Sequence, residues 1–307
     1  MRTLIVGTGG VGGYYGAKLA RAGHEVVFTA RGRNLEEIRA RGLRLESFEG
    51  AIIVSPARTL ETTRGVAAFE LVLVCVKAQD TVGALEGLAS AIGVDTLVVS
   101  LQNGVESEEL IERVLGLEPL IRGLAYVGVE LVAPGVVHHS SGGTILIGER
   151  GDHPSPRLER LERLLREASI EVVVPQSMAR AKWQKLAWNA SFNVICALTG
   201  ATIGGALADP ESRSLVEAAM GEVEAVARAQ AIEFEPGHIP NMLRYAERIG
   251  FVRPSTLQDR EKGKPLEHDA LTGAVVRFGA RLGVPTPVNH TLDALARLLS
   301  SALAERS

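Results

Sequence analysis

Lys185, Asn189 and Asn193 recur at four-residue intervals within Lys182-Trp183-Gln184-Lys185-Leu186-Ala187-Trp188-Asn189-Ala190-Ser191-Phe192-Asn193. On a helix that spacing aligns one ammonium and two amides along a single face, with Lys182 one turn earlier. Trp183, Leu186, Ala187, Ala190, Val194 and Ile195 make the rest of the helix largely apolar. Asparagine is a mediocre helix former, and a merely solvated face usually carries Glu and Lys, so the stripe reads as a pocket wall. Such a wall suits the reduction of a ketone. A hydride must reach the carbonyl carbon and a proton its oxygen, and a positioned ammonium can supply the proton. Lys185 is the expected general acid and Lys182 the second candidate; apolar and amide surroundings would draw the pKa of Lys185 down towards neutrality.

The hydride requires a carrier, and the first residues provide for one. Gly7-Thr8-Gly9-Gly10-Val11-Gly12 fits G-x-G-x-x-G between an expected strand ending Leu4-Ile5-Val6 and an expected helix over Val11–Ala22. Gly23 then suits a helix stop, and Glu25–Ala30 returns as a second strand. In this βαβ unit Gly7 permits the tight turn, Gly9 lets backbone approach a pyrophosphate, and Gly12 allows close helix–strand packing. The helix start adds unpaired N–H groups and partial positive charge for the phosphates. An NAD site would end the second strand in Asp or Glu, but this strand runs into Arg31, with Arg33 close behind. A guanidinium there can pair with the 2′-phosphate of NADP, so NADPH is the expected cofactor.

Two more expected strands end on the ligand-binding side of a parallel sheet. Leu71–Val76 runs into Lys77 and then Asp80, and Leu97–Leu101 into Gln102-Asn103-Gly104. Lys77 could contact cofactor or substrate anions, and Asn103 could bridge the ribose or nicotinamide and a keto acid. Alone, neither is specific, because a strand-end lysine is often solvated and Asn-Gly is a common turn.

The elements that must position these residues fall into two parts. Short β-branched runs alternate with helical patterns up to the strands expected at Ile121–Val132, Thr144–Ile147 and Glu171–Val174. Pro134-Gly135 between apolar runs predicts a hairpin turn, and Leu158–Glu167 an amphipathic helix. After Pro175 only helical patterns follow: Ser177, as N-cap, to about Leu198, then Pro210–Gln230, Ile239–Glu247, Glu267–Leu282 and Val288–Leu303. The stretch from Phe234 to Pro265, rich in Pro and Gly, is expected to contain much irregular backbone. The fold class is therefore α/β, with an N-terminal Rossmann-type doubly wound domain over residues 1–176 and an all-helical C-terminal domain over 177–307.

Composition narrows the functions. The chain has 307 residues, a length for two domains, with 46% hydrophobic and 22% charged residues, as globular proteins do. A net charge of −3 offers no basic footprint for nucleic acid, and no apolar run is long enough to span a membrane. The two cysteines, Cys75 and Cys196, read as core residues; they suit neither a metal site nor a disulfide framework, and a cytoplasmic setting is expected. A homodimer is compatible with the sequence.

Together these residues resemble the ketopantoate reductase (2-dehydropantoate 2-reductase) family over almost the whole chain. The resemblance rests on Gly7-Thr8-Gly9-Gly10-Val11-Gly12, Arg31, Val76-Lys77-Ala78, Asn103-Gly104, Lys185-Leu186-x-x-Asn189-x-x-x-Asn193, and Ser255-Thr256-Leu257-Gln258-Asp259 followed by Glu267. It implies an NADPH-binding Rossmann domain, a helical second domain and an active site in the cleft between them. It further implies Lys185 as general acid and Glu267 as the essential carboxylate that holds the substrate hydroxyl. Asn103, Asn189, Asn193 and Ser255 become substrate-binding positions, and Lys77 a residue at the junction of cofactor and substrate. Asp80 stands where glutamine is also familiar in the family. The implied reaction is reduction of 2-dehydropantoate to (R)-pantoate, the precursor of pantothenate. Read without the resemblance, Ser255 after Pro254 is equally a turn or capping residue, and Glu267 is a carboxylate near a helix start. His268 beside it is expected at the surface. The competing readings are a reductase of another small 2-keto acid and a non-catalytic NADPH sensor.

Overall fold

The protein is described as a computed structural model covering residues 1–116 and 120–305. The chain forms two compact units, Met1–Gln102 with Ser107–Met178, and Asn103–Glu106 with Ala179–Ser307.

The first unit is built on one mixed sheet. Its strands are β1 Arg2–Val6, β2 Glu25–Thr29, β3 Leu43–Ser47, β4 Ile52–Val54, β5 Arg58–Leu60, β6 Phe69–Val74, β7 Ile92–Ser100, β8 Ile121–Ala133, β9 Val136–Gly148 and β10 Val172–Val173. The order across the sheet is β4-β3-β9-β8-β7-β6-β1-β2-β5, with β10 beside β9. The centre is parallel, β1 pairing with β2 and β6, β6 with β7, and β7 with β8. β8 and β9 form a long antiparallel hairpin whose turn carries Gly135 at φ +72°. β1 shows why the sheet is covered on both sides. Ile5 joins a core with Phe28, Leu73 and the Tyr14, Tyr15 and Leu19 side chains of α1 (Gly10–Arg21). Leu4 and Val6, pointing the other way, join Val72, Val74, Leu85 of α3 (Thr81–Leu85) and Ile111 of α4 (Ser107–Leu115). The unit also holds α2 (Gly32–Arg41) and α5 (Pro156–Glu167). α5 starts on a Ser155 cap whose hydroxyl accepts from the Leu158 N–H.

Strands β3, β4 and β5 lie outside the strands expected from sequence. They have only three to five residues, too few for a clear alternation. What selects β3 is a distant partner, since Arg44 to Ser47 pair in parallel with Val136 to His139.

Among the described residues the second unit is helical apart from its loops. Its helices are α6 Met178–Trp188, α7 Val194–Thr199, α8 Ile203–Ala208, α9 Pro210–Arg228, α10 His238–Arg248, α11 Ser255–Glu261, α12 Thr272–Leu282 and α13 Pro287–Ala304. A single core gathers Trp183, Phe192, Val216, Met220, Val223, Leu257, Val275 and Leu292. Three expectations are corrected here. The run from Phe234 to Pro265, expected to contain much irregular backbone, holds α10, close to the helix expected at Ile239–Glu247, and also α11, which lies outside the expected helices; Arg260 of α11 donates to the Ala197 carbonyl at 2.8 Å and fastens that helix to α7. The helix expected from Glu267 instead opens as a 3₁₀ turn, His268–Ala270, and restarts at Thr272 after Leu271 leaves helical geometry. The long helix after Ser177 is interrupted by a π turn at Asn189–Asn193. No helix among the described residues is long and apolar enough to cross a membrane.

Candidate active site

In the first unit, the Gly7–Gly12 loop joins β1 to α1. Gly7 has φ +97°, a region that favours glycine. A Cβ on Gly12 would run into the Gly7 carbonyl oxygen and the Ile5 side chain, so only glycine lets α1 lie this close to β1. A Cβ on Gly9 would meet nothing within 4 Å, which leaves open space beside the backbone there. Gly9 caps α1 without a side chain, and no acidic residue stands in the first turn. The N–H groups of the first turn therefore lack intrahelical partners and present partial positive charge. These features fit a bound pyrophosphate. The loop is braced from β2, where the Gly7 N–H donates to Thr29 Oγ1 and the Thr8 hydroxyl to the Thr29 carbonyl, both at 2.8 Å.

Asn34, which carries no sequence motif, braces the loop again. Its amide donates to the Thr8 carbonyl and accepts from the Gly135 N–H, each at 2.8 Å. The available hint was an asparagine inside a helix. Arg31 is exposed at the start of α2, beyond β2, and its guanidinium donates to the Gly83 carbonyl at 3.5 Å. Arg33 is also exposed. Lys77 is half-buried at the head of a short turn, Ala78–Asp80, and the exposed Asp80 donates its N–H to the Lys77 carbonyl at 2.9 Å. Gln102, buried at the end of β7, fixes this loop through the Val76 carbonyl at 2.9 Å and Thr81 Oγ1 at 2.7 Å.

In the second unit the polar residues meet. Asn103 Oδ1 accepts from Lys185 Nζ at 3.2 Å and from the Asn189 amide at 3.4 Å. The Asn103 amide donates to Glu267 Oε2 at 3.4 Å, and the Asn193 amide to Asn189 Oδ1 at 3.2 Å. Glu267, Asn189 and Asn193 are only 3%, 5% and 5% exposed, so the network sits where polar groups left without partners would be costly. The π turn contributes to this alignment. Each four-residue step on an α-helix overshoots a full turn by about 40°, and the wider π turn takes back part of that drift between Asn189 and Asn193. The Ser191 hydroxyl donates to the Ala187 and Trp188 carbonyls at 2.7 and 3.2 Å, satisfying acceptors in the disturbed ladder.

Burial holds Lys185 down to a pKa of about 8; the nearby Lys182 charge acts in the same direction, and Glu267 opposes both. At neutral pH such an ammonium is mostly protonated yet releases a proton more readily than a solvated lysine. Ser255 opens α11, half-buried after Pro254, and takes no part in this network among the described hydrogen bonds. His268 differs from expectation. Its side chain is only 13% exposed, and Nδ1 lies 2.8 Å from Asp293 Oδ1. Asp293 also accepts from Thr272 and Arg297, so a partner on α13 draws His268 inward.

Comparison with known proteins places this geometry among relatives. Residues 3–152 match the family described as ketopantoate reductase PanE/ApbA, and residues 177–300 its C-terminal part. A 2-dehydropantoate 2-reductase of Mesorhizobium japonicum is 33% identical, the match covering 100% of this chain and 99% of that protein. The crystal structure of a PanE/ApbA family ketopantoate reductase from Ralstonia eutropha superposes with TM-score 0.92 at 34% identity, covering 99% of this chain and 100% of that one. A D-mandelate dehydrogenase solved with NADH and anilino(oxo)acetate superposes with TM-score 0.91 over 99% of both chains. At 23% identity the latter shows a shared fold only.

Proposed function

The chain belongs to the ketopantoate reductase family, and from that premise we propose that it uses NADPH to reduce 2-dehydropantoate to (R)-pantoate, the precursor of pantothenate. The observation that carries the proposal is the buried network in which Asn103 is shared by Lys185, Asn189 and Glu267. When bound, NADPH supplies the hydride to the carbonyl carbon. Lys185 gives its proton to the carbonyl oxygen, which becomes the new hydroxyl. Glu267 holds the hydroxyl already present on the substrate, and Asn103, Asn189, Asn193 and Ser255 orient the acid. In the first domain, residues 1–176, Gly7, Thr8, Gly9, Gly10, Val11 and Gly12 seat the pyrophosphate, and Arg31 pairs with the 2′-phosphate. Lys77 and Asn103 complete the cofactor contacts, and residues 177–307 form the substrate and catalytic domain. The reaction is assigned to the cytoplasm, a reading supported by the two free thiols.

A second reading is a reductase of another 2-keto acid. The network recognises a carbonyl and a hydroxyl without specifying the remaining substituents, and fold alone does not choose among substrates. NADPH oxidation followed with ketopantoate beside a panel of 2-keto acids tests both. The proposal expects ketopantoate to give the highest kcat/KM. Efficient turnover of another acid with none of ketopantoate would establish the second reading, and NADPH binding without turnover of any acid would point to a sensor.

A further inference from the structure

The bond between Asn103 and Glu267 joins stretches of chain 164 residues apart, and a third residue grips both. Arg277, on α12, donates through one guanidinium nitrogen to Glu106 Oε2 at 2.5 Å and to the Asp269 carbonyl at 2.9 Å. Its other terminal nitrogen donates to Asp269 Oδ1 at 2.6 Å. Glu106 follows Asn103 by three residues, and Asp269 follows Glu267 by two. Between these anchors the two stretches touch. Gly104, at φ +92°, lies so close to the turn after Glu267 that a Cβ would stand 2.7 Å from the Ala270 carbonyl oxygen. We propose that Arg277 is a positioning residue for the reductase reaction, clamping Glu106 and Asp269 together so that Asn103 and Glu267 meet at the spacing that receives the substrate. The proposal rests on the function assigned above to Glu267.

An isolated surface ion pair contributes little, because solvent screens it and ordering two side chains opposes it. Arg277 differs in that one rigid, planar fork spans two carboxylates and a backbone carbonyl, all in short loops next to site residues. Lysine, a single point charge, cannot reproduce that geometry. The effect should therefore appear in substrate binding.

The test uses the full-length enzyme with Arg277→Gln and Arg277→Lys. Both are expected to raise KM for ketopantoate about tenfold, as loss of hydrogen bonds to charged groups can, with kcat within about threefold. In a Glu267→Gln background the added Arg277→Gln should change KM less than about twofold, because the carboxylate it positions is already gone. An unchanged KM, or the same fold-change in both backgrounds, would overturn the clamp. Should the unaltered enzyme reduce no keto acid, the proposed function fails instead. The clamp is then judged on a crystal structure of Arg277→Gln, where Asn103 and Glu267 still within hydrogen-bonding distance would overturn it.

Discussion

Around the Gly7–Gly12 loop, backbone and open space do the positioning. Side chains stay small enough for α1 to reach β1, Gly9 leaves room beside the chain, and Thr29 and Asn34 brace the loop. Around Asn103 and Glu267 the materials are reversed. Long polar side chains from distant segments meet in a buried network, and their partners on neighbouring elements fix them. The first construction suits an anion, which N–H groups and a helix dipole can hold without side-chain chemistry. The second suits proton transfer, which needs a titratable group at a defined atom in surroundings that tune it. The two regions should therefore fail differently, one through added atoms and the other through lost functional groups.

The largest effect is expected from Lys185→Ala, which should lower kcat by about 10³-fold, within the range for loss of a general acid. Fluorescence titration should find NADPH affinity unchanged; a parallel loss of affinity would break the separation of the two regions. Next is Gly12→Ala, where one added methyl should destabilise the fold by about 1–3 kcal/mol through overpacking and weaken NADPH binding. Denaturant unfolding and titration read both, and normal values for both would show that the close helix–strand approach is not needed. Arg31→Ala should raise KM for NADPH about tenfold, the loss expected for a hydrogen bond to a charged group, and leave KM for NADH unchanged. Equal changes for the two cofactors would remove the 2′-phosphate from the account.

The last expected effect, a pH dependence, needs no substitution. As the proposed general acid, Lys185 must be protonated in reduction, and burial lowers its pKa to about 8. The kcat/KM for the keto acid should therefore hold steady below that value, halve near it and fall about tenfold per unit above it. The reverse oxidation needs the neutral amine and should rise through the same range. A reduction profile flat to pH 10 would deny Lys185 its role.

Much of the first region is legible without a structure because it is contiguous. Gly7 to Gly12 lie within six residues between a strand and a helix, and Arg31 follows the next strand directly. The helix bearing Lys185, Asn189 and Asn193 is legible too, from spacing alone, but its π turn is not, since periodicity assumes a regular helix. His268 shows the limit most plainly. Adjacent helical residues point different ways, which sets His268 apart from Glu267 and predicts a surface position, yet Asp293, 25 residues on, draws it in. Asn34 and Gln102 are not legible as braces for a related reason: what they hold is backbone of other segments.

The βαβ opening, the helical second half and the polar stripe from Lys185 to Asn193 can be read from the chain alone, because local spacing and backbone preference settle these within a few turns. Long-range packing brings Asn103 to Lys185 and Glu267, lets Arg277 grip the segments bearing two of them, and through burial lowers the pKa of Lys185 to about 8. Those outcomes depend on which distant surfaces pack together and exclude water, and neither residue spacing nor local propensity records that.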